Sequence, residues 1–177
     1  MAMRRIRYPR ALGFGAGLLA LSLVVFSAAG AVWGLTRPKL TGRAVGDGSG
    51  GYVIDAVDDI QFTSFAWFVI ITAIGGFLIG LVAYVRGAGT RSLAMLLWSG
   101  IVALAGAYAF WVFGSATAPG LPDNPGDVVQ WVPAFNPGVG LTAAPFIAVF
   151  TYWSTAFISA DEDWERGKVA ASEAGTA

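Results

Sequence analysis

Three carboxylates, Asp55, Asp58 and Asp59, form the group of side chains in this sequence whose spacing best suits chemistry. Positions i, i+3 and i+4 share one face of a helix, and carboxylate oxygens are ligands that calcium prefers. The three residues are therefore a candidate cation site. A solvated acidic face is the simpler interpretation, and we favour it. The preceding segment 46–50 lacks the later glutamate that completes a calcium-binding loop.

Composition excludes most other site chemistry. The chain has 177 residues and contains neither cysteine nor histidine. Thiolate metal sites, iron–sulfur ligation and cysteine nucleophiles are thereby excluded, as is histidine ligation of haem or zinc. Motifs for a nucleophile elbow, a Walker loop or a zinc protease are also missing from the sequence. We therefore expect a protein without enzymatic activity that binds no cofactor itself, although lipids are expected ligands.

Four apolar runs dominate the chain, and none of its 11 basic and 11 acidic residues lies inside a run. The runs cover residues 11–35, 65–85, 93–114 and 139–160. Each has about 20 residues or more, enough for a helix to cross a hydrocarbon core about 30 Å thick. The sequence predicts an all-α fold, an integral membrane four-helix bundle over residues 1–163 with two ordered extracytoplasmic loops. The alternative for the first run is a cleaved signal peptide, but its apolar stretch exceeds the usual length of about 7–15 residues.

Basic residues are distributed unevenly between the connections. Most lie in the two tails and in the short connection after the second run: Arg4, Arg5, Arg7, Arg10, Arg86, Arg91, Arg166 and Lys168. Cytoplasmic connections of membrane proteins are enriched in Lys and Arg. We therefore predict a multi-pass plasma-membrane protein with both termini in the cytoplasm. Net charge is zero without a basic stripe, so no nucleic-acid partner is expected.

The connecting segments carry their own signals. A glycine cluster at 46–51 predicts a tight turn or hairpin in the first outer loop. Residues 52–62 have apolar and acidic positions at helical spacing, which predicts a short amphipathic helix running into the second span. Five prolines within 119–137 exclude a regular helix from the second outer loop. Residues 164–177 are predicted to form a flexible cytoplasmic tail.

Three pairs of glycines spaced four apart lie in the spans: Gly13 with Gly17, Gly30 with Gly34, and Gly76 with Gly80. Such pairs lie on one helix face and let two helix backbones approach closely. They are candidate contact faces for another subunit. Packing among the four helices of this chain is the alternative, and we favour it.

Two aromatic residues of the proline-rich loop, Trp131 and Phe135, need a surface to cover them. Packing onto the helix ends or the bilayer interface would provide one. The alternative is a docking surface for another protein.

The order of features resembles a family of actinobacterial four-span membrane proteins whose function is uncharacterised. The resembling segments are Gly30–Pro38, the glycine-rich loop, Asp58–Phe68, Gly76–Tyr84 and the final span with Pro145, ending in Ser159–Asp163. The resemblance implies an actinobacterial plasma membrane and supplies no catalytic residue. In size and lack of redox ligands, the chain is also similar to accessory subunits around the actinobacterial cytochrome bcc–oxidase supercomplex.

Two classes of function follow. The first is a non-catalytic accessory subunit of a larger plasma-membrane complex, with the respiratory supercomplex as the specific expectation and other membrane subunits and lipids as partners. The second is a small-molecule- or lipid-handling protein that acts alone or as a homo-oligomer. A membrane enzyme is a third, weaker option, and it would place Asp55, Asp58 and Asp59 at a lipid headgroup.

Overall fold

Four long helices contain the four apolar runs. The computed structural model describes residues 10–44, 52–54, 59–121 and 128–174. Within these ranges the helices are α1 (Arg10–Thr36), α2 (Ile60–Arg86), α3 (Leu93–Thr117) and α4 (Ala143–Ala174). All four are long and apolar enough to cross a membrane. The predicted all-α four-helix membrane bundle is confirmed, and the protein is a multi-pass membrane protein.

The helices do not all pack equally against one another. α1 packs mainly on α3, and α2 packs mainly on α4, while α3 also contacts α4 and α2. α1 and α2, although consecutive in the chain, barely touch. A groove therefore lies between α1 and α2, lined by residues from Leu18 to Thr36 on α1 and from Ile71 to Val82 on α2.

A small antiparallel sheet joins the two loops at one end of the bundle, which we call the sheet end. Its strands are β1 (Leu40–Ala44), β2 (Tyr52–Ile54) and β3 (Val128–Trp131), in the order β2-β1-β3. Antiparallel pairing of β1 with β2 confirms the predicted hairpin, while the glycine cluster at 46–51 itself lies outside the described residues. β3 comes from the proline-rich loop, with Thr41 opposite Gln130. The sheet thus connects the two loops directly.

The amphipathic helix predicted for residues 52–62 is wrong in its first part. Tyr52–Ile54 is a strand, and α2 begins at Ile60. Val53 lies opposite Arg43 of β1, so these backbone groups form sheet hydrogen bonds in place of helical ones. Tyr, Val and Ile are also residues that favour strands.

Within the tail at 164–177, α4 continues to Ala174, and the flexibility of this segment stays a prediction. The segment contains no proline and is rich in Ala, Glu, Lys and Arg. These residues have high helix propensity, so the last membrane helix extends past its apolar part.

The opposite end of the bundle, which we call the turn end, holds the short connection between α2 and α3. Ser92 caps α3, since its Oγ accepts a hydrogen bond from the Met95 amide at 3.2 Å. The Arg91 guanidinium lies 4.1 Å from the Tyr84 ring centre, and its Nε donates to the Tyr84 carbonyl oxygen at 3.3 Å. These contacts tie the connection to the helix that precedes it.

Candidate functional site

Two of the three glycine pairs are used inside the bundle. A Cβ added at Gly30 would collide with the carbonyl oxygen of Phe110 on α3, and one at Gly34 would collide with that of Gly114. The Gly76 and Gly80 pair on α2 meets α4 backbone in the same way, at the carbonyl oxygens of Ala144 and Ala148. These four glycines permit the close α1–α3 and α2–α4 contacts.

The third pair, Gly13 and Gly17, lies on an open face of α1. A Cβ at either position would meet no atom within 4 Å in the described part of the chain. This pair therefore does not hold the bundle together. Of the glycine pairs named as candidate partner contacts, it is the one with space beside it.

The candidate cation site is described in one of its three members. Asp59 is exposed and immediately precedes α2, whereas Asp55 and Asp58 lie outside the described residues. Among the residues that the structure describes, no group of three His, Cys, Asp or Glu side chains is arranged to hold a metal ion. Asp59 by itself provides no such site.

Four aromatic rings form a cluster beneath the sheet end, with one ring each from α1, α2, α3 and the proline-rich loop. The members are Trp33, Phe68, Phe110 and Phe135, with contacting ring centres 5.2 to 6.1 Å apart. Phe68 and Phe110 are fully buried. Edge-to-face and tilted arrangements of this kind are favourable for aromatic pairs. The aromatic cluster therefore fixes the second loop on the bundle.

The two aromatic residues of the proline-rich loop, Trp131 and Phe135, differ in how they pack. Phe135 packs against the core, and its backbone carbonyl accepts a hydrogen bond from Trp111 Nε1 at 3.0 Å. Trp131 is half-buried and lies opposite Leu40 in the sheet. Phe135 thus packs onto the helix ends, and it offers little surface for docking another protein.

Arg37 is a buried cation at the sheet end, one residue beyond α1. Its side chain is 4% exposed, and its guanidinium carbon lies 5.0 Å from the Trp33 ring centre and 5.2 Å from that of Phe135. Nη2 donates a hydrogen bond to the Pro133 carbonyl oxygen at 2.9 Å, whereas Nε has no partner within the described residues. Burial lowers the pKa of Arg37 from its ordinary value, because desolvation disfavours the charged form.

A recess of about 420 Å³ lies beside Arg37, between α1 and α2 near the sheet end. Its lining includes Trp33, Thr36 and Arg37 from the α1 side, and Ser64 and Trp67 from α2. Ser64 is 1% exposed, and its Oγ is the second buried polar atom in the described chain that lacks a hydrogen-bond partner. Arg37 makes cation–π contacts with the rings of Trp33 and Phe135. Its Nε and the Ser64 Oγ nevertheless have no hydrogen-bond partner in the described chain.

A stripe of aromatic rings runs along the outside of α4. Phe146, Phe150, Trp153 and Phe157 are each more than half exposed. Consecutive ring centres are 6.3, 6.5 and 5.9 Å apart, and two of the three contacts are stacked. Spacings of four, three and four residues place the rings on one helix face. We call this feature the α4 aromatic stripe.

Sequence reasoning assigned no role to Arg37, Ser64 or the α4 stripe. A signal existed for Arg37, because Trp33 and Arg37 are four residues apart and such residues are neighbours on a helix. The stripe was also visible as aromatics at helical spacing. Nothing in the sequence indicates that Ser64 is buried, because its burial depends on which helix packs against α2.

The fold defines a class: a four-helix multi-pass membrane protein whose two loops at one end are joined by a three-stranded sheet. Comparisons place no particular protein beside it, since no protein-family model, curated protein or solved structure matches the chain.

Proposed function

We propose that this protein is a non-catalytic accessory subunit of a larger plasma-membrane complex and that the α4 aromatic stripe is its contact with a transmembrane helix of another subunit. The stripe is the observation that carries the proposal. Of the four helices, α4 has the smallest buried share in its most apolar stretch, 22% against 44% for α3. It is therefore the helix with the largest unpartnered membrane face.

Association of helices in lipid relies on van der Waals packing, because lipid tails are as apolar as the side chains. Rings that already stack on one another lose little conformational freedom when a partner covers them. The rings of the stripe are exposed and already stacked on one another. Covering them with a partner helix therefore costs less conformational entropy than covering separate flexible side chains would.

The polar groups within the spans favour a structural role over transport. Buried polar residues of the described spans are hydroxyl-bearing: Ser22, Ser64, Thr72, Ser99 and Thr151. Ser22, Thr72 and Ser99 donate to backbone carbonyl oxygens. Transport paths usually display ionisable groups or broken helices at membrane depth, and the described parts of these helices display neither.

The particular complex and the orientation belong to the same proposal. The uneven distribution of basic residues supports cytoplasmic termini, with the sheet end outside the cell. The respiratory cytochrome bcc–oxidase supercomplex of an actinobacterial plasma membrane is the complex we favour, and the sequence resemblance is its support.

Affinity purification of a C-terminally tagged copy in mild detergent tests the proposal. Mass spectrometry of the eluate would identify stoichiometric partners, and a reduced-minus-oxidised spectrum would detect haem. Because this chain has no histidine or cysteine, cytochrome bands would come from partner subunits. We expect such bands together with cytochrome subunits. Recovery of the protein alone would contradict the subunit role.

Matched variants connect the result to the stripe. Phe150→Leu combined with Trp153→Leu removes two central rings while keeping apolar side chains. Phe113→Leu is the control, because Phe113 lies on α3 and is 47% exposed. We expect the α4 double variant to lose the partner and the control to retain it. Equal retention by both would exclude the stripe as the contact.

The second candidate function, a lipid-handling protein that acts alone or as a homo-oligomer, is supported by the recess beside Arg37 with its unpaired polar atoms. The same purification separates the two candidates, since only the first requires a different stoichiometric partner.

A further inference from the structure

We propose that the recess beside Arg37 binds the phosphate of an anionic phospholipid, with an acyl chain lying in the groove between α1 and α2. This site goes beyond the subunit role and does not depend on it, because every residue that forms it belongs to this chain. It names the chemical class of ligand, the side chains that hold each part and the end of the bundle where it lies.

Two residues that line the recess each have one polar side-chain atom without a hydrogen-bond partner. Arg37 Nε and Ser64 Oγ are buried, and neither has a hydrogen-bond partner within the described residues. Buried polar groups in proteins are almost always paired. Both residues line the same recess, and a phosphate oxygen bound there could accept hydrogen bonds from the guanidinium and the hydroxyl.

Within the described residues, the charge of Arg37 also has no counter-charge; Asp47, Asp55, Asp58, Asp123 and Asp127 lie outside them. The interactions found for its guanidinium are two aromatic ring faces and one backbone carbonyl. Desolvation by burial is the cause of its lowered pKa. Asp59, the described carboxylate at this end of α2, is exposed and does not line the recess. A buried charge normally requires a partner of opposite charge, and a guanidinium fork matches phosphate well.

The depth of the recess corresponds to lipid headgroups. Arg37 directly follows the last residue of the α1 span. Trp33 and Trp67 line the recess, and tryptophan is enriched at the membrane–water interface. A phosphate beside Arg37 would therefore lie at the level of the bilayer phosphates, where phospholipid is the most abundant source of this group.

The groove supplies a place for the acyl chain. A second recess of about 420 Å³ shares Trp33, Thr36 and Ile71 with the first. It continues past the small side chains Ala28 and Ala29 on α1. Deeper in the membrane, a cavity of about 180 Å³ between α1 and α2 is lined by residues that include Val25 and Leu78. Free phosphate would occupy only the recess beside Arg37. A phospholipid would also fill the second recess and the deeper cavity with its acyl chain, so we favour a lipid as the ligand.

Native mass spectrometry of the detergent-purified full-length protein tests this site. Phosphatidylglycerol, phosphatidylcholine and inorganic phosphate would be titrated separately. We expect one phosphatidylglycerol to bind at least tenfold more tightly than phosphatidylcholine, and inorganic phosphate to bind more weakly than either. Equal affinity for the two lipids would overturn the assignment. Phosphate binding as tight as that of phosphatidylglycerol would overturn the lipid part of it.

Three variants locate the binding. Arg37→Gln should reduce the preference for phosphatidylglycerol at least tenfold. Arg91→Gln is the matched control, since Arg91 also lies over an aromatic ring and donates to a backbone carbonyl, but at the turn end. Ala28→Phe fills the groove without touching the guanidinium, and it decides the question if Arg37→Gln fails to fold. Ala28→Phe should also weaken lipid binding, and an unchanged affinity in this variant would overturn the proposal.

Discussion

The indole N–H of Trp98 on α3 donates a hydrogen bond to the carbonyl oxygen of Gly15 on α1, at 3.1 Å. A Cβ at position 15 would lie 3.0 Å from the same indole nitrogen. Glycine therefore allows the ring to approach the backbone of the neighbouring helix. At membrane depth a side chain-to-backbone hydrogen bond between helices has few competitors, so this contact holds the half of α1 nearer the turn end against α3.

Trp98→Phe should destabilise the bundle. The variant keeps an aromatic ring but removes the donor, and loss of one such hydrogen bond costs about 0.5–1.5 kcal/mol. Thermal unfolding in mild detergent, followed by circular dichroism, would measure the change. Trp153→Phe is the control, since Trp153 is 55% exposed, and it should leave the midpoint nearly unchanged. An equal effect of both variants would mean that the hydrogen bond contributes nothing specific.

Gly76→Ala should destabilise the bundle, whereas Gly13→Ala should not. At Gly76 the new methyl group would meet the Ala144 backbone, and overpacking of this kind costs about 1–3 kcal/mol. At Gly13 it would meet open space, and alanine is the better helix former by about 1 kcal/mol. The unfolding midpoint should fall for the first variant and be equal or higher for the second. A lower midpoint for Gly13→Ala would show that this face is already packed.

Phe135→Ala should loosen the sheet end. Its ring contacts both Trp33 and Phe68, and since it is only partly buried we expect a loss of about 2 kcal/mol, below the 3–5 kcal/mol typical of a fully buried phenylalanine. Near-ultraviolet circular dichroism should also lose intensity from the aromatic cluster. Phe146→Ala, at a position that is 67% exposed, should have a much smaller effect. Loss of partner binding with unchanged stability in Phe135→Ala would instead indicate a docking role.

The orientation is testable with single cysteines, because the natural chain has none. Gly120 at the sheet end and Gly89 at the turn end are both exposed, with no atom within 4 Å of an added Cβ. A membrane-impermeant maleimide added to intact cells should label Gly120→Cys and leave Gly89→Cys unlabelled until the cells are opened. The reverse pattern would place the termini outside and contradict the distribution of basic residues as a guide to topology.

Prediction from sequence succeeded where the signal is local. Hydropathy located all four spans, and the observed helices begin and end within a few residues of most predicted boundaries. The glycine cluster correctly indicated a hairpin. The helical periodicity of residues 52–62 predicts a helix at Tyr52–Ile54, yet antiparallel pairing with β1 makes this segment a strand. α4 continues to Ala174, beyond its apolar part, because residues of high helix propensity extend further along the chain than the apolar run does.

The sequence by itself determined that this is a membrane protein with four spans and that cysteine and histidine chemistry are excluded, since hydropathy and composition need no knowledge of neighbours. Only the tertiary structure decided how its parts are used. It assigned Gly30, Gly34, Gly76 and Gly80 to contacts within the chain and left Gly13 and Gly17 open. It also buried Arg37 between Trp33 and Phe135 beside an unpaired Ser64. These properties depend on which helices lie side by side, and lipid-facing and helix-facing positions are equally apolar in sequence.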